Sequence, residues 1–169
     1  CGRLRDRRGG APPAVAAAVS IRRMHVSFAL FADAANLSQE GKLNILGVFD
    51  AVQVATLPTV HRRANLVVHL KGDDMDVGTH VLTMRWISPS GDELWNTQGQ
   101  VEVQAPPLGG TGMDLPLIAA VDLPLDQAGS YAMQISVDDR TATEVPLHVR
   151  AAASPFPPPG VMPAGGLLS

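Results

Sequence analysis

The 169-residue chain offers few side chains able to make or break bonds, and they are scattered along it. Five histidines (His25, His61, His69, His80 and His148) are its natural bases or metal ligands. His61 follows Leu57-Pro58 in a bend. A hydrolytic reading would pair it with Asp50 as acid and base. Asp73, Asp74 and Asp76, followed by Gly78, resemble a calcium loop. Such a loop needs a distal bidentate glutamate, and counted from Asp74 that position holds Arg85, so residues 73–76 read as a solvated acidic turn. His80 shares parity with Leu82, Met84 and Trp86, which places it at the rim of a core as a hydrogen-bonded structural residue, whereas His69 and His148 fall on wetter faces. There is no G-x-S-x-G, H-E-x-x-H, C-x-x-C or P-loop, and the glycines around Gly109 to Gly112 lack the strand-before, helix-after setting of a dinucleotide site. No catalytic, cofactor-binding or metal-binding residue is therefore assigned, and the chain is read as non-enzymatic. The rival reading is a small hydrolase or metal-dependent enzyme built on His61 with Asp50, or on the 73–76 loop.

The elements that must position these residues follow a period of two. Met113, Leu115, Leu117, Ala119, Val121 and Leu123 alternate with Asp114, Pro116, Ile118, Ala120 and Asp122. Tyr131, Met133, Ile135 and Val137 form another such set, as do Val145, Leu147 and Val149, then Leu66, Val68 and Leu70, and Leu82, Met84 and Trp86. Successive strand side chains face opposite ways, so each set predicts one buried face. Val26, Phe28 and Leu30 open the series on the same expectation. In LNILGVFDAVQVA the parity changes: Leu43, Ile45 and Phe49 are odd, Val52 and Val54 even. A bulge or kink between Gly47 and Ala51 would restore the register. Only Ala32 to Gln39 offers a turn of helix.

Turn residues separate the runs. Pro89-Ser90-Gly91-Asp92 and Asp138-Asp139-Arg140 predict short hairpins, and Leu108 to Gly112 a longer loop. Seven or eight antiparallel strands with regular turns predict an all-β, immunoglobulin-like two-sheet β-sandwich. The stretch from Leu123 to Tyr131, followed by strand, turn and strand, is how such sandwiches close, the tyrosine capping a corner. Pro146 suits an edge strand. Trp86 belongs to the core set, and Trp95 is read as core by its match with Val101 and Val103.

Charge divides the chain. Residues 1–23 carry six arginines against Asp6, residues 24–150 seven Lys/Arg against fifteen Asp/Glu, and residues 151–169 no charge. The middle segment, 24–150, is the expected folded domain, long enough to bury a core without staples. The single cysteine, Cys1, rules out an intrachain disulfide. The head, 1–23, reads as a disordered basic segment lying upstream of a natural start at Met24. The Pro/Gly/Ala-rich tail, 151–169, reads as a disordered extension. An acidic domain repels phosphate backbones, which argues against nucleic acid, and no run approaches the roughly 20 apolar residues of a membrane-spanning helix.

With these residues assembled, the chain resembles a family of small bacterial proteins of unknown function. The resemblance rests on FALFADAA (Phe28 to Ala35), GKLNILGVFDAV (Gly41 to Val52), Leu57-Pro58 with His61, a strand opened by Gly78-Thr79-His80, and GSYAMQISVDD (Gly129 to Asp139). It implies a stand-alone bacterial β-sandwich and brings no activity and no functional residue. The expectation is a cytoplasmic, cofactor-free binding or scaffolding module. It would meet a protein partner, neither nucleic acid nor membrane, through strand edges or inter-strand loops. A structural subunit of a larger assembly is the further alternative.

Overall fold

The computed structural model describes residues 24–105, 112–140 and 143–152. The head 1–23, most of the Leu108 to Gly112 loop and the tail from 153 lie outside the described residues. Among the described residues, alternation of apolar and polar residues becomes nine strands: β1 (His25–Leu37), β2 (Leu43–Phe49), β3 (Ala51–Val54), β4 (Thr59–Gly72), β5 (Gly78–Ile87), β6 (Glu93–Val103), β7 (Met113–Leu125), β8 (Gly129–Val137) and β9 (Thr143–Ala151). One 3-10 turn, Asp74–Asp76, links β4 to β5. The strands form a four-stranded sheet in the order β2-β1-β4-β7 and a five-stranded sheet in the order β3-β9-β8-β5-β6. Among the described residues every pairing is antiparallel except β3 with β9, which is parallel.

Three expectations are corrected. First, the parity change in LNILGVFDAVQVA is a change of sheet: β2 pairs with β1, and after Asp50 β3 pairs with β9 across the sandwich. Phe49 from one sheet and Val52 and Val54 from the other then pack on the same core, which adds a ninth strand and the parallel pair. Second, Ala32 to Leu37 continue β1, because their backbone is taken up by ladder pairs from Ala32↔Val48 to Leu37↔Leu43. Third, a register shift between Val26 and Phe28 reverses the facing of β1. Val26, Ala29 and Phe31 point to the core, and Phe28 is 38% exposed on the other side.

The core lies between the sheets. Phe31, Leu66, Leu70, Leu123 and Leu125 from the four-stranded sheet meet Trp86, Tyr131, Met133, Ile135 and Leu147 from the five-stranded one, all at most 1% exposed. Leu115 and Leu117 both face this core, as alternation requires. Trp86 stacks on Tyr131 (ring centroids 5.2 Å apart) and meets Phe31 edge-on at 6.1 Å. Its indole N–H donates to the Pro124 carbonyl at 2.9 Å, so the largest core side chain leaves no polar atom unsatisfied. Trp95 sits opposite Trp86 in the β5–β6 register and packs half-buried against the same core.

Candidate functional site

Folding does not gather the residues that chemistry would need. His61 lies edge-on to the ring of Phe49 at 5.5 Å, and among the described residues no hydrogen bond or ion pair joins it to Asp50. Asp50 instead marks the crossover, its backbone carbonyl accepting from the N–H of His148 at 2.7 Å. The acidic segment is used up by its own backbone. Asp73 Oδ1 accepts from Met75 N–H at 2.9 Å, and Asp76 Oδ2 accepts from Asp73 N–H at 3.0 Å, a reciprocal cap on the 3-10 turn. Among the described residues no group of three or more His, Cys, Asp or Glu is arranged to hold a metal ion.

His80 is held at both ring nitrogens. Its Nδ1 lies 2.7 Å from Asp138 Oδ2 and its Nε2 2.8 Å from the Asp76 carbonyl oxygen. Both partners are acceptors, so both bonds form together only when the ring carries both protons. The hydrogen bond to Asp138 accordingly raises the His80 pKa above its ordinary 6.5, against the lowering effect of burial. The same bond, with the Val81 N–H that donates to Asp138 Oδ1 at 2.9 Å, holds Asp138 below the usual carboxylate range. The clip ties the 3-10 turn and β5 to the turn after β8, where Asp138 and Asp139 have φ of +50° and +56°.

Tyr131, near the start of β8, performs the capping expected of it. Its hydroxyl accepts from the N–H groups of Asp126 (2.9 Å) and Gln127 (3.0 Å) and faces the Gln127 carbonyl and the Asp126 carboxylate as acceptors. Burial is the main cause that lifts its pKa above 10.0.

The two outer faces of the sandwich differ in kind. Directly opposed residues of paired strands share a face. On the five-stranded sheet Arg85 is flanked by Asn96 and Gln134, Thr83 by Gln98 and Ser136, and Gln134 donates to Glu144 at 2.8 Å. Thr83 itself is buried and its Oγ1 has no hydrogen-bond partner, so the polar character of that face comes from Arg85, Asn96, Gln98 and Gln134. On the four-stranded sheet the rows read Phe28–His69–Pro116, Leu30–Val67–Ile118, Val48–Ala32–Asn65–Ala120 and Leu46–Ala34. Leu46 and Val48 are 72% and 60% exposed, Phe28 stacks on His69 at 4.9 Å, and His69 Nδ1 is shut off from solvent with no hydrogen-bond partner. The rows contain no ionised carboxylate, lysine or arginine. Charges stand at the ends: Lys71 beside Asp114 at 3.7 Å, and Asp122 accepting from Arg63 N–H at 2.8 Å. Val67 and Ala32, in the middle of these rows, are fully buried, so the solvent-facing large apolar residues of this face are Phe28, Leu46 and Val48.

Sequence reasoning missed this face because it placed Phe28 and Leu30 in the core and read the even positions of β7 as wet. The signal was present: Pro116, Ile118 and Ala120 are apolar, and so are Leu46 and Val48, interleaved with Ile45 and Phe49.

Two sheets, a change of sheet between β2 and β3, a buried tryptophan on β5 and a tyrosine corner entering β8 define an immunoglobulin-like β-sandwich. The chain belongs to a family of unknown function, DUF6941, whose profile matches residues 27–150. No curated protein matches it. Among solved structures, an immunoglobulin-like protein of Pseudomonas aeruginosa is similar at 13% identity over 78% of this chain and 99% of that one, with a TM-score of 0.34. The immunoglobulin-like class rests on the strand order and the corner of this chain itself. Among the described residues no helix is long and apolar enough to cross a membrane.

Proposed function

We infer that this protein is a non-catalytic binding or scaffolding module whose contact surface is the outer face of the β2-β1-β4-β7 sheet. The observation that carries the reading is the contrast between its two outer faces, one lined by Arg85, Asn96, Gln98 and Gln134, the other apolar through its central rows with its charges at the ends. Strand edges, the surfaces expected from the sequence, serve less well. The β7 edge carries Pro116 and Pro124, and the β2 edge is bent at Gly47, where φ is +67°. The non-catalytic reading is favoured over the enzymatic alternative by the packing of His61 on Phe49 and by Asp73 and Asp76 capping their own turn.

The experiment replaces Leu46 and Val48 together by aspartate in the full chain. Both are too exposed to be needed for folding. Whatever the wild-type chain binds, whether a second copy or another protein, the variant should bind at least tenfold more weakly, with its melting temperature unchanged. Equal binding by both proteins would overturn the assignment of the face. A reaction lost on His61→Ala with the fold intact would overturn the non-catalytic reading.

A further inference from the structure

We propose that the free edge of β6 is a strand-addition site, where an extended peptide segment of a partner protein, cationic at both ends, pairs as a further strand of the five-stranded sheet. This contact is separate from the outer face of the four-stranded sheet and does not depend on it.

Three sheet edges are blunted and one is not. The β7 edge carries Pro116 and Pro124, the β2 edge is bent at Gly47, and β3 is only four residues long. By contrast β6 has 11 residues, holds an unbroken register from Gly78↔Val103 to Trp86↔Trp95, and contains no proline, lysine or arginine. Among the described residues β5 is its only neighbour, and Asn96 to Gln100 are all exposed.

The ladder fixes which backbone groups are open. Val81 turns both its polar groups toward β8: its N–H donates to Asp138 Oδ1 at 2.9 Å and its carbonyl accepts from the Asp138 N–H at 2.9 Å. These groups alternate sides along a strand, so His80, Leu82, Met84 and Trp86 turn theirs to β6 and engage Val101, Gly99, Thr97 and Trp95. Asn96, Gln98, Gln100 and Glu102 therefore aim their N–H and C=O groups outward. A row of alternating donors and acceptors at strand spacing is matched by another extended backbone. Side chains narrow the choice. On the core side Trp95 and Val101 are half-buried and would be covered by apolar residues of the incoming strand, while Asn96, Gln98 and Gln100 on the outer side call for polar ones. Glu93 and Glu102 stand near the two ends, with only Arg85 near Glu93, at 3.8 Å, so the ligand is cationic at its ends. A second copy fits poorly, because antiparallel pairing of two β6 strands lays the Glu93 end of each against the Glu102 end of the other.

The test is amide hydrogen exchange of the full chain followed by NMR, with a synthetic peptide of about ten residues as the probe, valine alternating with threonine and two lysines at each end, the length that spans Glu93 to Glu102. In the free protein the amides of Asn96, Gln98, Gln100 and Glu102 should exchange fast and those of Thr97, Gly99 and Val101 slowly. Adding the peptide to about 1 mM should slow the first set at least tenfold. The same peptide with glutamate in place of lysine should bind at least tenfold more weakly. Gln98→Pro, which removes one outward N–H and no bond to β5, should weaken binding of the lysine peptide by a similar factor, with Thr97 and Gly99 still protected as proof that the sheet is intact. No change at the four outward amides at the highest peptide concentration overturns the proposal, as do peptide-induced changes confined to another surface. Equal binding of the glutamate peptide overturns the assignment of a cationic ligand. Outward amides that are already slow without peptide would show the edge taken by the protein's own chain or a second copy, and would overturn the proposal as well.

Discussion

Removing the clip between His80 and Asp138 should change not only how stable the domain is but how its stability depends on pH. The folded-state pKa of His80 is raised, so the stabilisation it supplies is fully present below its unfolded value of 6.5 and is lost as pH rises through the folded value. Asp138 behaves oppositely. Its folded pKa is lowered, so its contribution is present above its unfolded value of 3.8 and is lost as pH falls through the folded value. The pair is therefore strongest between about pH 4 and 6.5 and weakens on either side. A hydrogen bond between charged partners contributes roughly 1.5–3 kcal/mol. The Asp138 side chain is 33% exposed and His80 14%, so solvent screening reduces the expected effect to about 1 kcal/mol. For a domain of this length that corresponds to a melting temperature about 3–5 °C higher at pH 6 than at pH 9. Thermal unfolding of the wild type and of His80→Gln at half-unit pH steps measures it. The variant should melt lower near pH 6, with the difference from wild type closing toward pH 9. A wild-type minus variant difference that stays constant from pH 5 to pH 9 would refute the assignment of a doubly protonated ring.

Other consequences follow from single contacts. Tyr131→Phe leaves the Asp126 and Gln127 N–H groups without their shared acceptor, and chemical denaturation should show a loss of about 1–3 kcal/mol with an unchanged m-value. At Gly47, φ is +67° and an added Cβ would lie 2.3 Å from Asp33 Oδ2. Gly47→Ala should cost about 1–2 kcal/mol in the same assay, of which Asp33→Ala in the same chain recovers the steric part and leaves the backbone strain.

The sandwich was legible in the sequence because one side of most strands is buried between the sheets, and burial enforces a period of two. The runs from Met113 to Leu123 and from Tyr131 to Val149 needed nothing else, and Tyr131 announced the corner through its place before an alternating strand. Where the backbone breaks its own period, the sequence is ambiguous. A register shift after Val26 and a sheet change after Asp50 both appear as a parity slip, and neither slip says which side of the strand ends in the core. The apolar outer face was hidden by the same ambiguity, since Phe28, Leu30, Leu46 and Val48 are core-type residues until the register shows them on the far side. The histidines were harder still. His80 and Asp138 are 58 residues apart, and only the pairing of β5 with β8 brings them to 2.7 Å.

The claim that the β2-β1-β4-β7 face is the contact surface is tested most directly by hydroxyl-radical footprinting of the full chain in dilute buffer and in concentrated lysate of its own cells. Labelling of Phe28, Leu46 and Val48 should fall in the lysate while Pro146 and His148, on the outer face of the five-stranded sheet, label equally in both. Unchanged labelling of Leu46 and Val48, or protection confined to Pro146 and His148, would contradict the account.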